Sequence, residues 1–73
     1  MRLSELQAGD VMVGAMTRSV FLVAQKDDAA ELWFNLVTGE LYDVKDDDGY
    51  GSTGNVASSF SVYRDGVEIV RSR

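Results

Sequence analysis

The sequence contains no cysteine, no histidine and no proline. Without cysteine there are no disulfides and no thiolate metal sites. Without histidine the commonest general base and the commonest metal ligand are both missing. Long apolar runs are absent too. The longest, Val20 to Ala24, has five residues, against the ~20 that a membrane-spanning helix needs. The opening Met1-Arg2-Leu3-Ser4-Glu5 lacks the apolar stretch of a secretory signal. A complete small gene product located in the cytoplasm is the expectation.

What is present is a folded domain. The chain has 73 residues, 45% of them hydrophobic and 26% charged, the balance of a globular protein rather than a disordered tail. That length allows one domain, residues 1–73. Its core is thin, because chains below roughly 70–80 residues rarely gain more than about 3–5 kcal/mol from a single core. Disulfides are excluded and a structural metal has no His or Cys to use, so self-association into a homo-oligomer or docking to a protein partner is expected. Twelve acids against seven bases give a net charge of −5. That excess opposes phosphate contacts, so nucleic acid is not the expected partner.

The pattern along the chain is that of short strands. Ser4-Glu5-Leu6-Gln7 fits a capping pattern cut short by Ala8-Gly9, which predicts a 3₁₀ turn over residues 3–8 with Leu6 on the core. Strands are predicted over residues 11–16, 20–25, 31–37, 40–45, 56–64 and 67–70. In the second, Val20, Leu22 and Ala24 alternate with Phe21 and Val23. Both of its faces are apolar, so it should be central or covered on both sides.

Two hairpins can be argued in detail. Asp65-Gly66 predicts a type I′ turn pairing Arg64 with Val67, Tyr63 with Glu68 and Val62 with Ile69. For the third and fourth strands, a three-residue loop at Val37-Thr38-Gly39 with Gly39 left-handed pairs Phe34 with Tyr42 and Leu32 with Val44. That register gathers Leu32, Phe34, Leu36, Tyr42 and Val44 on one face. A one-residue slip inverts every side chain, so the cleaner apolar face should decide. Trp33, Asn35, Leu41 and Asp43 then share the opposite face. The fold class expected is all-β: a small antiparallel barrel, SH3-like, of five to six short strands. A two-layer antiparallel sheet is the alternative.

Residues 46–55 form an Asp/Gly-rich segment read as a mobile loop. Aligned on an EF-hand, it puts Asp46 and Asp48 at ligand positions but Val44 and Asn55 where the first and twelfth ligands belong. A solvated loop is the better reading, so no metal is assigned. Gly49-Tyr50-Gly51-Ser52-Thr53-Gly54 matches a dinucleotide fingerprint, but three aspartates precede it and a strand pattern follows where a helix is required. No serine lies in a nucleophile-elbow context, and there is no histidine to activate one. No catalytic residue and no cofactor is therefore assigned, and an enzyme is not expected.

Trp33, Tyr50 and Tyr63 with Arg64, Arg71 and Arg73 are the candidates for a single-strand nucleic-acid platform. Glu31 and Asp43 beside Trp33 speak against it. The sharper candidate is a protein-binding surface of Trp33, Leu41, Asn35 and Asp43, with Phe21 and Val23 beside it, because Trp is enriched in binding hot spots. The loop residues Asp46, Asp47, Asp48 and Tyr50 are a second candidate contact. The competing reading has Trp33 closing one end of the barrel under the N-terminal turn.

Leu6-Gln7-Ala8-Gly9-Asp10-Val11 resembles the entry into many SH3-like small barrels. With the Asn35–Tyr42 and Asp65-Gly66 hairpins, it also resembles short proteins encoded by bacteriophages of actinobacteria. That resemblance implies a protein that binds, assembles or inhibits, and it carries over no functional residue. The function expected is a small acidic interaction module, phage-encoded, that binds a host or viral protein or itself. The alternatives are an acidic DNA mimic inhibiting a host nucleic-acid enzyme, or a nucleic-acid-binding small barrel.

Overall fold

The computed structural model describes residues 1–44 and 56–72. Six strands follow in chain order: β1 (Val11–Gly14), β2 (Val20–Lys26), β3 (Glu31–Asn35), β4 (Leu41–Asp43), β5 (Phe60–Arg64) and β6 (Val67–Val70). Short 3₁₀ turns at Leu3–Glu5 and Val56–Ser58 precede β1 and β5. The strands form one antiparallel sheet in the order β4-β3-β2-β1-β5-β6. The all-β, antiparallel expectation holds, and β2 is central as its two apolar faces require.

The core lies on one face of this sheet. Met12, Val23, Trp33 and Val62 point into it from four adjacent strands, and Leu3, Leu6, Val44, Val56 and Phe60 complete it. Strands at ~4.8 Å spacing would hold β3 and β5 roughly 14 Å apart in a flat sheet. The rings of Trp33 on β3 and Phe60 on β5 are nevertheless 6.2 Å apart. The sheet therefore curls around its core. Among the described residues β4 and β6 remain edges, so the likeness to an SH3 barrel is loose and the barrel is not closed.

The N-terminal turn is shorter than predicted. Its cap comes from Glu5, whose carboxylate accepts the Arg2 N–H at 2.8 Å. Leu6 is buried, as expected. The Met1 carbonyl accepts the Val56 N–H at 2.9 Å, which ties the chain start to the second 3₁₀ turn. That turn replaces the first part of the strand predicted over 56–64. Residues 46–55 lie outside the described residues, and the loop reading with them.

The Asp65-Gly66 turn is as predicted. Both residues have positive φ, 54° and 80°, as a type I′ turn requires. Arg64 pairs with Val67 and Tyr63 with Glu68. Beyond them the register slips, and Val62 faces Val70 rather than Ile69.

The β3–β4 hairpin differs from its prediction. Trp33 pairs with Tyr42, Phe34 with Leu41 and Leu32 with Asp43. The loop has four residues, Leu36 to Gly39. Asn35 makes it: its Oδ1 accepts the N–H groups of Val37 at 2.9 Å and Thr38 at 3.1 Å. Its backbone carbonyl accepts the Gly39 N–H at 2.8 Å. Gly39 is left-handed with φ 79°, as foreseen, but inside a longer loop. The extra residue inverts the predicted faces of β3 alone, while Tyr42 and Val44 keep the core side and Leu41 and Asp43 the outer one. Trp33 and Asn35 point into the core side, while Leu32 and Phe34 point out.

Candidate functional site: the outer face of the sheet

The sequence-predicted contact residues among the described ones have definite places. Trp33 is 2% exposed and cannot present itself to a partner. It packs against Phe21 at 5.8 Å between ring centroids and against Phe60. Asn35 is buried and occupied by the hairpin loop. Val23 is buried, and Phe21 stacks inside on Trp33, Tyr42 and Phe60. Leu41, at 57% exposure, and Asp43 do face solvent. The proposed quartet is thus split: Trp33 and Asn35 turn inward, Leu41 and Asp43 outward. Asp46, Asp47, Asp48 and Tyr50 lie outside the described residues. Among the described residues no cluster of three metal-ligating side chains occurs, and no helix is long and apolar enough to cross a membrane.

The inner face contains charge that is fully committed. Asp10 is 1% exposed. The Arg64 guanidinium grips it as a fork, Nε to Oδ1 and Nη2 to Oδ2, both at 2.8 Å. The Gln7 N–H adds a further bond to Oδ2 at 2.8 Å. The Arg64 contact holds the Asp10 carboxyl below its ordinary range, against the opposing effect of burial. Arg64 also donates to the Glu5 carbonyl at 3.2 Å, which locks the N-terminal turn to β5. Glu31 is the second buried acid. It accepts from the Trp33 indole at 3.2 Å and faces Lys26 Nζ at 3.4 Å. Lys26 Nζ in turn donates to the Leu3 carbonyl. By sequence alone Arg64 counts as available basic charge. Its partner is 54 residues away, so no local pattern signals the pair.

The outer face is different. Residues directly opposite on paired strands share a face. Following the pairing from β4 to β6 gives Leu41, Phe34, Leu22, Val11, Tyr63 and Glu68 in one row across all six strands. Beside it, Val20, Val13 and Ser61 form a second row. Leu36 extends that row, with its N–H bonded to the Val20 carbonyl at 2.8 Å. Eight of these ten side chains are apolar or aromatic, and none is buried. Val13 is 37% and Leu36 49% exposed.

An antiparallel sheet with one solvated face normally alternates apolar with polar residues. Here both sets are apolar. Charge enters the rows only at the β6 end. There Glu68 accepts from Arg71 at 2.9 Å and from the Tyr63 hydroxyl at 3.1 Å. Arg71, with Tyr63 second, holds the Glu68 carboxyl below its usual range, and Glu68 raises the Tyr63 phenol above its own. The signal for this face was visible in β2, whose two apolar faces demand two covers. The β3–β4 hairpin taken alone puts the uncovered face at Trp33 instead.

No family model, curated protein or solved structure matches the chain.

Proposed function

We propose that this protein is a small non-enzymatic interaction module that docks protein surfaces through the outer face of its sheet. The observation that carries the reading is the pair of apolar rows crossing that face with no cover from the chain's described residues. Contiguous exposed apolar surface marks contact sites in soluble proteins. The resemblance to actinobacteriophage proteins makes a host or viral protein, or another copy, the partner class, met in the cytoplasm.

The acidic DNA-mimic reading has less support, because Asp10 and Glu31 are buried in internal pairs. Direct nucleic-acid binding also has less support, because Arg64 is held by Asp10 and Arg71 by Glu68.

The test is a tagged pull-down from bacterial lysate, with and without nuclease, run in parallel with the native chain and Val13→Lys. A protein captured by the native chain and lost with the variant supports the reading. Capture that nuclease abolishes, or that Val13→Lys leaves unchanged, overturns it.

A further inference from the structure

We propose that the β4 edge of the sheet takes up an extended, basic segment of another protein as an added strand. This contact lies beside the apolar rows and does not depend on them. The hydrogen-bond register carries the inference. The Asn35 N–H donates to the Glu40 carbonyl at 2.8 Å, and the Val44 N–H to the Glu31 carbonyl at 2.9 Å. These two are hydrogen-bonded pairs, and Trp33 with Tyr42 between them is a third. Leu41 and Asp43 alternate with those pairs, so their N–H and C=O groups point away from β3. The edge therefore offers two donors and two acceptors that no described residue answers. Every residue of β4 is exposed. An extended backbone matches that spacing and binds by main-chain hydrogen bonds.

The two edges of the sheet are not equivalent. The β5–β6 register shifts between Val62 and Tyr63, and a bulge twists an edge away from further pairing. The β6 acid is also paired, since Glu68 meets Arg71 at 2.9 Å. At β4 the charge is of one sign. Between Lys26 and Lys45 the sequence has five acids, Asp27, Asp28, Glu31, Glu40 and Asp43, and no base. Glu31 is held by Lys26 and Trp33. Glu40 and Asp43 are exposed, and no ion pair among the described residues includes either. Glu40 accepts only the Tyr42 hydroxyl, at 2.6 Å, which leaves its charge in place.

Charge selects the occupant. A second copy pairing through its own β4 would set these acids against themselves, which opposes self-pairing. A basic strand meets the opposite sign. Side chains two apart on an added strand share a face. One of them lies beside the exposed Leu41 and the next beside Asp43 on the outer side. The fitting pattern is an aliphatic residue two places from a lysine or arginine.

The probe is a short, end-capped peptide in the palindromic order lysine-threonine-valine-threonine-lysine, which presents one pattern in either strand direction. It is titrated into the isotope-labelled full chain and followed by amide NMR. Binding should saturate, move the Leu41 and Asp43 amide signals most and slow their hydrogen exchange. The same peptide N-methylated throughout, or with glutamate for lysine, should not bind. Asp43→Asn should weaken binding about two- to fivefold. Leu41→Pro removes an outward N–H and leaves the ladder to β3 intact, and it should lose most of the binding while its melting curve shows it folded. Val13→Lys, on the apolar rows, should bind the peptide like the native chain.

Absence of saturable binding overturns the inference, as does equal binding of the N-methylated or glutamate peptide. These peptide controls act on the native chain, so the outcome does not depend on a variant's folding. A footprint on β6 or on the apolar rows, or binding that Val13→Lys abolishes, overturns it too. The docking role of the rows fails separately, on capture that Val13→Lys leaves unchanged.

Discussion

The two faces of the sheet are built from the same kinds of residue and end in different states. The inner face seals Trp33, Met12, Val23 and Val62 beneath two 3₁₀ turns. Each buried polar side chain there has a partner: Asp10 has Arg64, Glu31 has Trp33 and Lys26, and Asn35 has the hairpin loop. The outer face has nearly as many apolar side chains but no cover among the described residues. Specific partnering, more than hydrophobicity, separates them. A buried acid with a fork of donors tolerates one geometry, so the inner face has one arrangement. The outer face, with few polar anchors, is free to meet a surface.

The sharpest way to break this contrast is at its most buried ring. Trp33→Ala should cost about 3–5 kcal/mol. In a domain whose core supplies little more than that, the variant should lose its cooperative thermal transition by circular dichroism. Phe34→Ala, one residue along on the outer face, should cost about 1–2 kcal/mol because its ring is already partly exposed. Equal losses from the two variants would refute the assignment of faces.

The Asp10–Arg64 pair comes next. Arg64→Met keeps the length of the side chain but strands a buried carboxylate. It should cost about 2–4 kcal/mol in urea denaturation at neutral pH. The pH dependence has a definite sign. The folded-state pKa of Asp10 lies below its ordinary value of 3.8. The pair's stabilisation is therefore complete above that value and is lost as pH falls through the lower, folded-state one. The native chain should lose stability below about pH 4. In Arg64→Met, which lacks the favourable charge, that acid-side loss should shrink. A variant that keeps the full acid sensitivity would show that other carboxylates cause it.

These contrasts also show what the sequence could reveal. The all-β class, the central place of β2 and the Asp65-Gly66 turn follow from alternation and turn chemistry, which act over a few residues. The β3–β4 register does not. Asn35 selects a four-residue loop by capping Val37 and Thr38, and β2 selects the inner face of β3 by setting Val23 against Trp33. Read as an isolated hairpin, Leu32-Trp33-Phe34 is apolar on both faces and either register gives a core. The second cover that β2 called for was legible, but its location depended on that register. The Asp10–Arg64 fork spans almost the whole chain, and nothing local announces it.

The register can be tested at the loop. Asn35→Ala leaves two backbone N–H groups without their acceptor and should cost about 1–2 kcal/mol. Gly39→Ala forces a side chain into a left-handed position, where it meets no neighbour, and should cost about 1 kcal/mol from backbone strain alone. Gly39 is left-handed in the predicted and the observed loop alike, so its loss does not discriminate between them. Asn35 does discriminate. In the predicted three-residue loop it faces solvent, and its replacement should change stability by less than about 0.5 kcal/mol.

The smallest expected effect is the most informative for the outer face. Val13→Lys and Leu36→Lys place a charge on side chains already well exposed, and an extended Lys can lay its stem along the sheet. Each should change monomer stability by no more than about 0.5 kcal/mol at concentrations where the chain is monomeric. A protein partner that docks on the rows should raise the melting temperature of the native chain and not of the variants, because binding to the folded state alone stabilises it. If either lysine destabilises the dilute monomer as strongly as Phe34→Ala, the rows belong to a packed second core. The contrast between a sealed face and an open one would then have to be abandoned.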